Sequence, residues 1–106
     1  DFDAAFADYE AAARLAPDTF RVHFNRGNAH SALGRHEEAV ADYARALQIN
    51  PRHARAYLYR AMSLREAGRD DEALAELATA LRLNPTSAEA FWHRARIWSD
   101  RGEHQK

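Results

Sequence analysis

Apolar residues recur three and four apart through most of this chain with charged residues between them, a spacing that predicts helices and no strands. Near the start, Phe2, Ala5, Phe6, Tyr9, Ala12, Ala13 and Leu15 follow helical spacing, with Asp3, Asp8, Glu10 and Arg14 between them. Pro17 ends that helix. Asp18 or Thr19 is placed to cap a second helix over 20–33, which Gly34 stops because glycine tolerates the left-handed conformation. A third helix starts near His36 with Glu37 and Glu38 in its first turn, where acids complement the helix dipole. It closes at Asn50-Pro51, since proline disfavours helical geometry in the residue before it. The order then repeats: a helix over 54–67, a turn at Gly68-Arg69, a helix over 70–83, and a last helix over 88–101. There Thr86 and Glu89 stand three apart as in a capping box, and Gly102 is expected to end the helix and leave Glu103 to Lys106 to open another. Six helices joined by such short turns run antiparallel in succession.

A shift of 34 residues lays the chain onto itself. Asn50-Pro51 falls on Asn84-Pro85, and Gly34-Arg35 on Gly68-Arg69, with Gly102 continuing the series. Ala39, Ala46 and Leu47 fall on Ala73, Ala80 and Leu81, while Ala5, Ala12 and Ala13 hold the same phase one period upstream. A unit of this length cannot bury its apolar face alone, so neighbouring units must stack and the core must run along an array.

These residues resemble the tetratricopeptide repeat, a family of the same period with small residues at fixed places, an A-x3-F element and a closing Pro. Counting position 1 as the residue three past each Pro, residues 20–53 and 54–87 are full repeats. Residues 1–19 are then the second helix of a partial repeat and 88–106 the first helix of another, the whole chain forming one array. Position 8 is Gly27, Ala61 and Ala95; position 20 is Ala5, Ala39 and Ala73; position 24 is Tyr9, Tyr43 and Leu77; position 27 is Ala12, Ala46 and Ala80. The resemblance implies an all-α superhelix, a solenoid of tetratricopeptide repeats. Small side chains at 8, 20 and 27 let helix axes approach to the short end of the usual range, about 8 to 10 Å, and the larger residue at 24 fills the groove beside them.

The chain departs from the family at position 4, held by His23, Tyr57 and Phe91, and at position 7, where Arg26, Arg60 and Arg94 stand in place of an apolar residue. Each repeat also has an acid at position 23: Asp8, Asp42 and Glu76. The leading expectation pairs each Arg with the acid of the preceding repeat, Asp8 with Arg26, Asp42 with Arg60 and Glu76 with Arg94. The rival pairs Arg26 with Asp42 and Arg60 with Glu76, inside one repeat.

Fifteen Lys plus Arg against sixteen Asp plus Glu leave a formal net charge of -1, so no global field draws the chain to nucleic acid or to an anionic membrane. There is no cysteine, which excludes disulfides and thiolate metal sites. No segment reads as a signal peptide and no apolar run approaches the roughly 18 residues that cross a bilayer, which favours the cytoplasm. The pattern opens at Asp1 in mid-period, as it does in a piece of a longer protein.

In the family this chain resembles, first helices line a concave groove through positions 2, 5, 6, 9, 12 and 13, and the resemblance implies a non-catalytic module holding a peptide or partner helix there. Carried onto this sequence, the first such helix offers Arg21, Phe24, Asn25, Asn28 and Ser31. The second offers Arg55, Leu58, Tyr59, Met62, Arg65 and Glu66, and the third Glu89, Trp92, His93, Arg96, Ser99 and Asp100. Position 5 is apolar throughout, as Phe24, Leu58 and Trp92, with Tyr59 and Met62 beside it. Such a stripe either buries a partner's side chains or packs against the neighbouring helix in a tightly curved array. Around it, Arg21, Asn25, Asn28, Arg55 and Arg96 are placed to hold a peptide's backbone and carboxylates.

The two-carboxylate clamp of chaperone-adaptor relatives is not reproduced. It needs Lys and Asn at positions 5 and 9, Asn at 6 of the next helix, then Lys and Arg at 2 and 6. From the first helix only Asn28 fits, because Phe24, Tyr59, Glu89 and His93 occupy the other places; shifted one repeat upstream, Asn25 and Arg55 fit, but Tyr59 does not and the first pair lies outside the sequence. No metal or cofactor is expected: His23 and His30 are seven apart on one helix and the other histidines are scattered over loops and other helices. No Ser, His and acid share a motif and no glycine-rich phosphate loop occurs. RNA binding would need a basic groove, which Glu66, Glu89 and Asp100 interrupt. The alternative function is self-assembly, head-to-tail stacking through the terminal helices that hides Phe2, Phe6, Ile97 or Trp98.

Overall fold

The computed structural model describes the backbone of residues 2–105 and the side chains of 3–102. It contains α1 (Phe2–Leu15), α2 (Phe20–Ala32), α3 (His36–Ile49), α4 (Ala54–Glu66), α5 (Asp70–Leu83) and α6 (Ala88–Gln105), with no strand among the described residues. Successive helices pack antiparallel on one another in chain order, most extensively α2 on α3 and α4 on α5, and the molecule measures 50 × 27 × 18 Å. Such an elongated body follows from units that are each completed by their neighbours.

The repeated glycines make the turns. Gly34 and Gly68 have φ of 76° and 81°, the left-handed geometry that costs glycine little. Around each, two backbone bonds close the helix end: Gly34 N–H donates to Ser31 and Arg35 N–H to His30, and Gly68 and Arg69 do the same to Arg65 and Leu64. Gly102 behaves otherwise. It was expected to stop α6, yet the helix runs through it to Gln105. Glycine permits a reversal without compelling one; at Gly34 and Gly68 a following helix packs back on the preceding one, and after Gly102 none of the described residues does so.

Helix starts also differ from the expected caps. Thr19 stands at the N-cap of α2 without a side-chain bond. His53 caps α4 through Nδ1, which accepts from Ala56 N–H at 3.2 Å. Ser87 caps α6, its hydroxyl accepting from Ala90 N–H, while the Thr86 hydroxyl turns to Asn84 in place of a capping box.

Small residues form the seams, with Ala39, Ala46, Ala73 and Ala80 at 0 to 2% exposure. At Gly27 an added Cβ would stand 2.8 Å from the ring of Tyr43, so that close approach requires glycine. Val40, Leu58, Ala61, Leu64, Leu77, Ala90 and Ile97 belong to the core cluster that runs through the α3–α6 half.

The leading expectation for position 7 is overturned. Arg26 makes a fork to Asp42 of its own repeat, with bonds of 2.9 and 2.8 Å, and Arg60 faces Glu76 at 3.7 Å. Arg94 lies over the ring of Phe91, and Asp8 is exposed. Within a repeat the two helices share one seam, so an Arg at its edge meets the acid on the adjoining helix before any acid of another unit.

Candidate functional site

Phe20 and Phe24 are one helical turn apart on α2, and their rings stack with centroids 5.3 Å apart. Across the gap to α4, Tyr59 stacks on Phe24 at 5.5 Å and 17° between planes. His53, in the loop before α4, leans on both Phe20 and Phe24, at 4.4 and 5.6 Å. From below, α3 sends up Tyr43, whose hydroxyl donates to Asn28 Oδ1 at 2.6 Å. Burial, then the neighbouring Tyr59 and Asp42, push that hydroxyl far above its ordinary pKa, so it remains a donor. The Asn28 amide nitrogen is then free to donate elsewhere.

Three adjoining hollows extend from this cluster. The first, about 500 Å³, is bounded by Phe20, Arg21, Phe24, Asn25, His53 and Arg55 together with Asn28 and Tyr59. A second of about 290 Å³ shares Asn28 and Tyr59 and adds Ser31, Tyr43 and Met62. The third, about 100 Å³, shares Ser31 and Met62 and reaches Arg65, Glu66 and His93 on α6. Because each shares walls with the next, they form one trough across the first helices of successive units.

Polar groups give the trough a direction. Arg55 donates to the Tyr59 hydroxyl at 2.9 Å and lies 3.8 Å from Glu89, and both neighbours hold its pKa above the ordinary value. Arg21 is exposed with no ion-pair partner among the described residues. At the far end Arg65 is bound to Asp100. Burial, and then Arg65, lower the pKa of His93, so this imidazole is neutral at pH 7. The near end is thus aromatic and cationic, and the far end carries acids and compensated charge.

The residues 20–53 and 54–87 each match a tetratricopeptide repeat profile. The chain belongs to the tetratricopeptide repeat family. Among solved structures, the first TPR of Spaghetti (RPAP3), bound to HSP90 peptide SRMEEVD, matches with a TM-score of 0.89 and 23% identity over 95% of this chain and 80% of that one. MamA matches at 0.91 and 21% identity over 99% of this chain and 61% of that one. The TPR domain of Arabidopsis OM64 gives 0.85 and 28% over 91% and 79%. A comparison with curated protein sequences finds no match. The tetratricopeptide fold is therefore shared along nearly the whole array.

Within the array, the sequence-derived contact set divides. Arg21, Phe24, Asn25, Asn28, Arg55, Tyr59, Met62 and His93 line the trough. Leu58 does not: it is 3% exposed and belongs to the core, so the apolar stripe at position 5 breaks in the middle. Trp92 is 55% exposed and borders none of the three hollows; it meets His93 edge-on, and the Arg96 guanidinium covers its ring at 5.0 Å. Three lining residues were missed. Tyr43 sits at position 24, read only as packing, while Phe20 and His53 flank the loops at positions 1 and 34; the aromatic pair four apart, Phe20 and Phe24, was the available signal.

Among the described residues no three His, Cys, Asp or Glu side chains converge as metal ligands, and no helix is long and apolar enough to cross a membrane. His23 is instead bound to the Pro17 carbonyl at 2.8 Å, and His30 lies 3.6 Å from Asp42. Phe2, expected at an end contact, lies outside the described side chains.

Proposed function

We propose that this array is a non-catalytic protein-interaction module whose trough takes an extended segment of a partner protein. The family mediates protein-protein interactions, and the continuity of the three hollows across α2, α4 and α6 is the observation that carries the groove reading. An apolar side chain of the partner lies against the Phe24 and Tyr59 rings, where stacked aromatic surface is half-buried and preformed. Asn25 and the Asn28 amide donate to the segment's backbone carbonyls, and Arg21 takes a carboxylate.

The Spaghetti domain holds an HSP90 peptide, but counted from α2 four of the five clamp positions differ here, and counted one repeat upstream Tyr59 stands where an Arg is needed, so an acidic chaperone tail is not the favoured ligand. An aromatic or aliphatic anchor next to one acid suits the near end better. A peptide library tests this with the parent chain, Tyr59→Ala and Trp98→Ala. Segments bound by the parent lose at least about tenfold affinity with Tyr59→Ala, the usual consequence of deleting an aromatic contact, and are unaffected by Trp98→Ala. Equal binding by the parent and Tyr59→Ala places the contact surface elsewhere.

A further inference from the structure

The trough is divided into stations, and their spacing measures the segment that would fill it. Arg55 and Tyr59 wall the first hollow, Tyr59 and Met62 the second, and Met62 and Glu66 the third, so each lies about one turn of α4 beyond the last. A helical turn advances about 5.4 Å, and two residues of extended chain advance about 6.6 Å. Over two steps the mismatch reaches only about 2.4 Å, less than the reach of a side chain. Alternate residues of an extended chain point the same way, so those at i, i+2 and i+4 enter successive hollows from one face. Polar groups on the wall select this form over a helix. Tyr43 holds Asn28 Oδ1, which leaves the Asn28 N–H groups to donate toward the trough, and Asn25 lines the same wall. A helix has spent its interior carbonyls on its own ladder, whereas every carbonyl of an extended chain still seeks a donor.

The hollows also shrink and change character along this line. The first, about 500 Å³, is walled by the rings of Phe20, Phe24, His53 and Tyr59. The second, about 290 Å³, has Tyr43, Tyr59 and Met62 as its apolar walls. The third is only about 100 Å³ and is mostly polar, with Arg65, Glu66 and His93 around it. There Arg65 is neutralised by Asp100, and His93 is uncharged at pH 7. Glu66 is exposed and has no ion-pair partner among the described residues, so one negative charge is left over at the narrow end. Resting on the groove reading above, we infer that the partner segment is a charge-ordered motif with an aromatic residue at i, an aliphatic one at i+2 and a lysine or arginine at i+4. The aromatic ring lies on Phe24 and Tyr59, the aliphatic side chain against Met62, and the base reaches Glu66. A narrow hollow admits the slim methylene stem of a basic side chain and leaves its charged head at the rim, where a further ring would not fit.

Calorimetric titration with short synthetic peptides tests the motif. The probe carries Phe, Leu and Lys separated by single serines, between Gly-Ser flanks with blocked ends, and is measured together with its reversed sequence, because the hollows order the side chains and not the backbone direction. The better of the two binds the parent chain with Kd below about 1 mM. Exchanging its Lys for Glu weakens binding at least about threefold at low salt, and the Glu66→Lys variant inverts that preference. Glu66 is exposed, so this substitution leaves helix content at the parent value. One serine inserted between Phe and Leu turns the Leu to the wrong face and costs at least about tenfold. An alanine-rich helical peptide with the same three residues at i, i+4 and i+7 binds more weakly than the probe. Absence of binding at about 1 mM overturns the proposal, as does equal affinity for the Lys and Glu peptides, tolerance of the inserted serine, or tighter binding of the helical peptide. Tyr59→Ala separates the two levels. Binding that this variant removes but that ignores spacing and charge keeps the groove and overturns the motif; binding that it leaves unchanged overturns both.

Discussion

The repeats 20–53 and 54–87 build the same pair of helices and put different groups at the same places. In the first, glycine at position 8 opens a passage through which Tyr43 crosses to hydrogen-bond Asn28 in the trough. In the second, Ala61 and Leu77 fill that passage and both end in the core. The polar seam differs in the same sense. Asp42 takes a two-bond fork from Arg26 and has His30 3.6 Å away, whereas Glu76 meets Arg60 only at 3.7 Å. Arg60 Nε and Glu76 Oε2 are left buried without a hydrogen bond, and position 11 is the apolar Leu64. Repeat phase therefore determines the backbone, and the residues at 8, 11, 23 and 24 determine whether a unit contributes chemistry to the groove or only mass to the core.

The sharpest break of that comparison removes each acid's charge. Asp42→Asn is expected to cost about 2 kcal/mol, the usual worth of hydrogen bonds to a charged group, because it strands Arg26 at a seam where the acid is 5% exposed. Glu76→Gln stays within about 0.5 kcal/mol of the parent, since the bond it would lose is not made. Urea midpoints at unchanged slope measure both. Equal losses would mean that the two seams are energetically alike despite their geometries.

A smaller effect comes from exchanging the packing pair. Gly27→Ala gains about 1 kcal/mol of helix propensity and loses about 1 to 3 by crowding Tyr43, a net cost of about 1. With Tyr43→Leu in place, as in the second repeat, the same alanine fills space and turns neutral or stabilising. Additive effects in the double-variant cycle would show that the glycine is not there for the tyrosine.

Much of the fold was legible because its signals are local. Gly34 and Gly68 each need a left-handed turn, Pro51 and Pro85 forbid the helix before them, and Ala at 20 and 27 marks the seams. What escaped depended on three dimensions. Position 5 reads as one stripe in sequence, yet a core neighbour on both sides buries Leu58 while Trp92, near the end of the array, stays open. The Arg at position 7 has acids in two directions at the same phase, and only the shared seam selects the nearer one. Tyr43 was assigned to packing by its position, and its hydroxyl's reach to Asn28 depends on the absence of a single Cβ at Gly27.

The least expected effect is the most specific to the second repeat. Burial drives the Glu76 carboxyl above its ordinary value of 4.5, more strongly than Arg60 pulls it down. A carboxyl raised in this way binds its proton more tightly in the folded chain than in the unfolded one. Across the window from the ordinary value upward to the raised one, the folded state therefore holds more protons, and its stability falls as pH rises through that window. Above it the penalty is constant and the charged form is carried at a loss, which a well-made fork such as that of Asp42 avoids. Replacing Glu76 by Gln removes this slope alone, so the stability of the parent minus that of Glu76→Gln must decline as pH rises above the ordinary value of 4.5. Subtraction cancels the titration of every other carboxyl, which makes the direction of the change readable in parallel urea curves. A difference that is flat, or that climbs with pH, would mean that Arg60 governs the carboxylate after all and that the second seam is as well closed as the first.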